Sequence, residues 1–135
     1  MAENKDIIHV LDKKLALRQA PQGFRTSLDS IMLAASCPAK SGQSILDLGC
    51  GVGSAGLCVL WRVKDTTLTG IDIQGDHIEI SKENAALNHM NDRTTFTQGD
   101  IRTLETTKAD HIICNPPYQE SGKHLQSPSS AKATA

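Results

Sequence analysis

Short β-prone runs alternate along the chain with longer segments of helical spacing. The runs predict four core strands, at 44–48, 67–73, 94–98 and 111–114. Helices are predicted between them, one ending near Val63 and one running from about Asp76 to Met90. Because strands that alternate with helices at this spacing form right-handed βαβ units, the pattern predicts an α/β fold with a parallel sheet.

The composition of the four core strands predicts their order in the sheet. The first and fourth are mostly apolar, which is typical of strands covered on both faces. The third consists mostly of Thr and Gln, which is typical of an edge strand. These compositions favour the order 3-2-1-4, with a ligand over the carboxyl ends at the switch point between the first and fourth strands.

The segment before the core is predicted to contain two short extended runs around a polar turn, within residues 7–20. A helix follows, with Thr26 as its N-cap, Asp29 as the acid of a capping box, and Pro38 at its end. Its predicted apolar face consists of Ile31, Met32, Ala34 and Ala35.

These patterns divide the chain into three parts: a strand and helix segment at 1–40, a core at 41–118, and a polar segment at 119–135. The last part is rich in small and polar residues and is predicted to be a loop or a disordered tail.

Composition is that of a soluble globular domain. The 135 residues are 39% apolar and 21% charged, with no apolar run that approaches the ~20 residues of a membrane span. Residues 1–6 are charged and lack the apolar region of a signal peptide, so we expect a cytoplasmic protein.

The 4 cysteines show neither C-x-x-C nor a histidine at ligand spacing, so no disulfide framework or zinc site is expected. The net charge of −1 gives no global basic signature for nucleic acid.

The first core strand leads into a glycine-rich stretch that matches the sequence motifs for two kinds of ligand. Glycines at a strand-to-helix turn let the backbone approach a ligand where a Cβ would collide. Residues 51–56 spell G-x-G-x-x-G, which suits a dinucleotide pyrophosphate. Asp47, Gly49, Gly51 and Gly53 spell instead the acidic glycine loop expected around S-adenosyl-L-methionine (SAM). The glycines alone leave both ligands open.

Acidic residues stand at the ends of the first three core strands, at Asp47, Asp72 and Asp100. A carboxylate at Asp72 is predicted to accept hydrogen bonds from both hydroxyls of a ribose. Asp100 is predicted to accept from an adenine amino group, while the backbone N–H of Ile101 serves a ring nitrogen. Ile73, next to Asp72, is assigned to the same site. Three acidic strand ends in register favour a nucleoside-containing ligand.

The fourth core strand is followed by Asn115, Pro116, Pro117 and Tyr118. The two prolines force a rigid, extended exit from the strand. An amino nitrogen conjugated to a purine ring is a poor nucleophile because its lone pair is delocalised. If the Asn115 side-chain oxygen and the Pro116 carbonyl each accept one N–H, the nitrogen can pyramidalise toward a methyl donor. Tyr118 offers a ring on which a planar substrate can stack.

The glycine loop and the Asn-Pro-Pro-Tyr motif together resemble the class I SAM-dependent methyltransferases that alkylate an amide or amino nitrogen. The stretches 15–19, 23–26 and 33–35 and Asp29, together with 83–88, are similar to the bacterial methyltransferases that modify N6 of adenine 37 in a valine tRNA. This resemblance implies a Rossmann-like methyltransferase fold, SAM as cofactor and tRNA as substrate. It also implies that Phe24, Arg25 and Thr26 line the methionine end of the cofactor, and that Asn115, Pro116 and Tyr118 are catalytic.

Other functions remain open on the sequence. The Asn115 side-chain oxygen and the Pro116 carbonyl, as a pair of hydrogen-bond acceptors, are referred to as the clamp. A glutamine amide needs the same clamp, so N5-methylation of a protein such as a release factor is an alternative. A non-catalytic fragment that binds SAM or RNA is another, and a nicotinamide dehydrogenase is disfavoured by Asp47 and by the motif that begins at Asn115.

The chain departs from the methyltransferases it resembles where their core continues through more strands. Without those strands, the fourth core strand would be an apolar edge, open to pairing with another chain. We therefore expect the 135-residue chain alone to self-associate or to be marginally stable, with little methyltransferase turnover.

Overall fold

A computed structural model describes residues 7–20, 28–104 and 108–115 of the chain. The strands are β1 (Ile7–Val10), β2 (Leu15–Arg18), β3 (Ser44–Leu48), β4 (Thr67–Asp72), β5 (Thr94–Gln98) and β6 (His111–Cys114). The helices are α1 (Leu28–Ser36), α2 (Ser54–Arg62) and α3 (Gly75–Leu87), with 3-10 turns at Asn91–Arg93 and Ile101–Thr103. The predicted N-cap at Thr26 and the segment 119–135 lie outside the described residues.

Four parallel strands form the main sheet, in the order β5-β4-β3-β6. In the numbering of the four core strands along the chain, this order reads 3-2-1-4. The central strand β3 buries Ile45, Leu46 and Asp47, whereas β5 buries only Phe96. The described part of β6 is an edge that pairs with β3, and its Ile112 is 61% exposed. The expectation that the fourth core strand is covered on both faces is therefore not met by the described residues.

The glycine at the start of α2 allows this helix to lie against the sheet. A Cβ on Gly56 would lie 2.5 Å from Cδ2 of Leu68, so only glycine permits the observed contact between α2 and β4. The neighbouring residues Leu57, Val59 and Leu60 are at most 1% exposed. Close packing on this face fixes the direction in which α2 leaves the loop after β3.

Helix α3 ends three residues before the predicted end at Met90, which is a correction to the sequence-based boundary. His89 adopts a left-handed conformation with φ 60°, and the N–H of Met90 donates to the carbonyl of Ala85 over 2.7 Å. This 6→1 bond closes the helix as a Schellman-type cap does. The residue in the left-handed position is a histidine rather than the usual glycine, so the sequence carries no stop signal there.

The antiparallel hairpin of β1 and β2 is held on α3 by two asparagine side chains one helical turn apart. Asn88 accepts from the N–H of Ala16 over 3.0 Å and donates to its carbonyl over 2.6 Å. Asn84 does the same for Arg18, accepting over 2.6 Å and donating over 3.0 Å. Residues two apart on a strand, and residues four apart on a helix, are both separated by roughly 6 Å along the axis. The spacing of the two asparagine amides therefore equals the spacing of Ala16 and Arg18 along the free edge of β2.

Asn84 also reaches the loop after β3, because its second Nδ2 proton is donated to the carbonyl of Val52 over 2.9 Å. Asn84 is 0% exposed, so water cannot replace these bonds. We expect Asn84→Ala to lower the free energy of unfolding by about 2–4 kcal/mol, since it leaves several backbone groups unpaired. Urea denaturation measures this loss.

Asn91→Ala is the matched control, because Asn91 is exposed in the 3-10 turn that follows α3. It should leave the denaturation midpoint unchanged. Equal midpoints for Asn84→Ala and the control would contradict the structural role of Asn84.

Candidate functional site

The turn between β3 and α2, residues Gly49–Gly53, is referred to as the glycine loop. Gly49, Gly51 and Gly53 all have positive φ, at 74°, 57° and 92°. A Cβ on Gly49 or Gly51 would meet no atom within 4 Å. Glycine is therefore needed at these two positions for the backbone conformation, and the space beside them is open. At the carboxyl end of the sheet the loop is therefore accessible at Gly49 and partly at Gly51, while Cys50, Val52 and Gly53 are buried.

The carboxylate of Asp72 fixes the glycine loop against the end of β4. Its Oδ2 accepts from the N–H of Gly51 over 2.8 Å, and its Oδ1 accepts from the N–H of Gln74 over 2.9 Å. The carbonyl of Ile71 accepts from the N–H groups of Gly49 and Cys50 over 2.7 and 3.0 Å. Each carboxylate oxygen has a further lone pair, so the predicted bonds to ribose hydroxyls remain compatible with this arrangement.

Asp47 lies inside the sheet, opposite Gly70 on one side and Ile113 on the other. Its side chain is buried, and the residue is 2% exposed. Burial, with a smaller contribution from the negative charge of Asp72, raises the pKa of Asp47 to about 7. Two carboxylates beside one loop create a negative potential that favours a cationic ligand.

Asp100 is paired with Arg102, which the sequence analysis did not identify. The guanidinium reaches both carboxylate oxygens over 2.7–3.1 Å, and the Arg102 N–H donates to Oδ1 over 2.9 Å. Hydrogen bonds from the Arg102 side chain, and then from its backbone, lower the pKa of Asp100 to about 2. An adenine amino group would thus share this carboxylate with Arg102 or displace it.

Two apolar side chains beside these acids are unusually exposed. Ile73, one residue past β4, is 60% exposed, and Ile101, which follows Asp100, is 46% exposed. Both lie at the carboxyl end of the sheet, where the glycine loop also lies. Exposed isoleucines next to carboxylates suit a ligand that combines a flat apolar ring with polar edges.

Asn115 follows β6 on the same edge of the sheet. Leu48, the last residue of β3, pairs with Cys114, the last residue of β6. The next residues, Gly49 and Asn115, therefore lie side by side at the carboxyl ends of the two strands. The Asn115 Nδ2 donates to the hydroxyl of Ser30 over 3.1 Å. The other predicted site residues, Phe24, Arg25, Thr26, Pro116 and Tyr118, lie outside the described residues.

Sequence reasoning missed Ser30 and the bond from Asn84 to the glycine loop as well as Arg102. Ser30 and Asn115 are 85 positions apart, and Asn84 and Val52 are 32 apart. Local spacing carries no signal for either contact. Ser30 is buried in the structure, although it was not among the residues predicted for the apolar face of α1.

Neither a metal centre nor a nucleophilic thiol is indicated in the described part of the chain. Residues 7–20, 28–104 and 108–115 contain no group of three His, Cys, Asp or Glu side chains that could hold a metal ion. Burial raises the pKa of the Cys58 thiol to about 11 and raises the pKa values of Cys50 and Cys114 as well. None of the helices in these ranges has the length and apolar character needed to cross a bilayer.

The parallel sheet, the glycine loop and the acidic strand ends define a Rossmann-like domain of the class I methyltransferase type. The model of one family, described as methyltransferase small domain, matches residues 25–130. The chain belongs to this family.

Two relatives carry the name tRNA1(Val) (adenine(37)-N6)-methyltransferase. The one from Vibrio campbellii is 34% identical over 124 residues, which are 91% of this chain and 51% of the relative. The one from Vibrio vulnificus strain YJ016 is 31% identical over 122 residues, 90% of this chain and 51% of the relative. The chain thus spans about half the length of the curated relatives it matches.

A solved structure with the same fold is a SAM-dependent methyltransferase from Thiobacillus denitrificans in complex with S-adenosyl-L-homocysteine. It is 26% identical, with a TM-score of 0.56, over 66% of this chain and 36% of that chain.

The raised pKa of Asp47 predicts a pH-dependent stability. Between the ordinary value of 3.8 and the folded value of about 7, the folded chain binds more protons than the unfolded chain. Stability therefore falls as pH rises through this window. Asp47→Asn should remove that fall and make the variant more stable than wild type at pH 8, by on the order of 2–4 kcal/mol. Denaturation curves between about pH 4 and pH 8 measure the effect.

Asp92→Asn is the charge-matched control, because Asp92 is exposed. It removes one negative charge without removing a buried carboxylate. If Asp47→Asn and wild type lost stability in parallel as pH rose, Asp47 would not be the group that titrates.

Proposed function

We propose that this chain binds SAM and supplies the catalytic half of an N-methyltransferase that acts on adenine N6 in tRNA. The observation that carries the proposal is the position of Asn115, which leaves β6 beside the glycine loop. Asn115, which would bind the acceptor nitrogen, and the glycine loop, which would bind the methyl donor, then lie at the carboxyl ends of the neighbouring strands β6 and β3. Ligands of open α/β sheets bind at such an edge.

The described residues fit SAM by charge and by shape. Its sulfonium and ammonium groups are cationic, and the carboxyl groups of Asp47 and Asp72 lie close enough that the charge of Asp72 contributes to the raised pKa of Asp47. The open backbone at Gly49 and Gly51 admits close approach of a ligand. In this proposal Asp72 holds the ribose, and Ile73 and Ile101 contact the adenine.

When bound, SAM supplies a methyl group on a positively charged sulfur. The role of this chain is to prepare the acceptor nitrogen. The Asn115 Oδ1 accepts one N–H of the acceptor, and the Pro116 carbonyl accepts the other, so the lone pair is drawn out of conjugation. No strong base is needed before the attack, because the nitrogen becomes acidic only after it is alkylated.

Adenine N6 in tRNA is the proposed acceptor because the relatives from two Vibrio species bear that name. The sequence similarity at 15–19, 23–26, Asp29 and 33–35 supports the same choice. A glutamine amide of a protein has the same two N–H groups, so it is the competing acceptor that an assay must include. With tRNA as substrate, the proposed location of the protein is the cytoplasm.

Cofactor binding should depend on the pairing of Asp72 with the ribose. Asp72→Ala should weaken SAM binding by ~1.5–3 kcal/mol, the range for a hydrogen bond to a charged group. Titration calorimetry with SAM, and with NAD as the unrelated nucleotide, measures this loss.

Because Asp72 also fixes the glycine loop, the control is a SAM analogue that lacks the ribose 2′-hydroxyl. Removing this hydroxyl should weaken binding to wild type and should have little further effect on Asp72→Ala. Equal losses in both proteins would exclude the ribose role.

Methyl transfer tests the function as a whole. With labelled SAM, the full-length relative should methylate an unmodified valine tRNA transcript and not a release factor, and the 135-residue chain should do so slowly. Asn115→Ala should abolish transfer while it leaves SAM affinity within a few-fold. The reason is that the clamp acts on the acceptor and not on the cofactor. The assay uses the 135-residue chain and, in parallel, a relative of full length with the equivalent change.

The outcomes separate the competing functions. Methylation of the release factor alone would show that the acceptor is a protein glutamine and not a tRNA adenine. If SAM bound but no methyl group reached either acceptor, in the full-length relative as well, the domain would be one that binds SAM without catalysis. Near-normal transfer by Asn115→Ala would contradict the clamp.

A further inference from the structure

Ser30 occupies a position on α1 where an apolar residue would be expected. It is 1% exposed, while Met32, predicted on the apolar face of this helix, is 58% exposed. A buried hydroxyl is costly unless it is hydrogen-bonded. Its described partner is Asn115, whose Nδ2 donates to the Ser30 Oγ over 3.1 Å.

The two ends of this bond are fixed independently. Helix α1 is held against α2 by Arg62, whose Nη2 donates to the carbonyls of Ala34 and Cys37 over 3.0 and 2.5 Å. Strand β6 is held at its start, where Asp110 accepts from the N–H of Ser44 over 2.8 Å and donates its own N–H to the Ser44 carbonyl over 3.0 Å. Ser30 and the backbone of Asn115 therefore meet as parts of a rigid frame.

The chemistry of the clamp requires one of the two orientations of the amide. An asparagine presents a carbonyl oxygen on one branch and two N–H donors on the other. The oxygen can accept a hydrogen bond from the amino group that is to be methylated. A flipped amide would instead point its own N–H groups at the N–H groups of that amino group. A serine hydroxyl can donate or accept. Here it accepts from Nδ2 of Asn115, and this contact leaves Oδ1 on the other branch of the amide.

We propose that Ser30 is a positioning residue, whose hydroxyl anchors the Asn115 side chain through Nδ2, so that Oδ1 is left for the nitrogen that is methylated. Its effect on methyl transfer rests on the proposed function, while its effect on the orientation of Asn115 does not. The bond joins the segment before the core to the last described strand, so the clamp depends on both.

The test uses three variants on α1. Ser30→Ala removes the hydroxyl, Ser30→Thr retains it, and Ser36→Ala removes an exposed hydroxyl that donates to the Leu33 carbonyl over 2.8 Å. The side-chain amide signals of Asn115 are observed by NMR and assigned through their loss in Asn115→Ala. We expect a slowly exchanging Nδ2 proton in wild type, Ser30→Thr and Ser36→Ala, and fast exchange in Ser30→Ala.

The second readout is the rate constant of methyl transfer at saturating SAM, measured under single-turnover conditions because little turnover is expected of the 135-residue chain. Ser30→Ala should lower it about 10-fold, the factor that corresponds to the loss of one hydrogen bond in the transition state. Ser30→Thr should restore most of the rate, Ser36→Ala should have no effect, and the Kd for SAM should stay within about two-fold throughout. A merely structural role would instead change the denaturation midpoint and the Kd together.

The outcomes distinguish this inference from the proposed function. Unchanged Asn115 signals in Ser30→Ala, or changed signals with an unchanged transfer rate, would overturn the role of Ser30. If wild type bound SAM but transferred no methyl group, the proposed function would fail, and the NMR comparison would still decide whether Ser30 holds Asn115.

Discussion

The side chain of Asn84 joins three parts of this fold through hydrogen bonds. Its oxygen and its two N–H groups bind the backbone of Arg18 in the hairpin and of Val52 in the glycine loop. No part of the side chain is left for solvent, since the residue is 0% exposed. These bonds fix the hairpin, helix α3 and the glycine loop relative to one another. An apolar residue of similar size would fill the space and would leave the backbone groups unpaired.

The three acidic strand ends show how similar positions acquire different chemistry. Asp47 is inside the sheet, and burial raises its pKa to about 7. Asp100 is partly exposed and bound by Arg102, and its pKa is lowered to about 2. Asp72 accepts backbone N–H groups on both of its oxygens, so it holds the glycine loop in place. Burial thus favours the protonated form at one end of the row, while an arginine stabilises the ionised form at the other.

Much of the fold follows from local sequence patterns, and the site follows only in part. The predicted bounds of the strands agree with the structure, apart from Ile73, because each strand is closed by a glycine, a proline or a change of composition. The end of α3 was wrong because His89 takes a left-handed conformation that nothing nearby signals. Arg102, Ser30 and the bond from Asn84 to Val52 were missed because such contacts are set by how elements pack, which no local periodicity records.

The ambiguity of the glycine motif has a structural explanation. Gly51 and Gly53 have positive φ, and Gly51 is open on its Cβ side, so both serve the loop itself. The third glycine of the G-x-G-x-x-G spelling, Gly56, serves the contact of α2 with Leu68. Any ligand bound over a β-α unit with such close packing requires the same glycine, whichever nucleotide it is. What separates a methyl-donor site from a dinucleotide site must then lie in side chains outside the loop. In this chain we propose that role for two side chains, the buried carboxyl group of Asp47 before the glycines and the amide of Asn115 after the neighbouring strand.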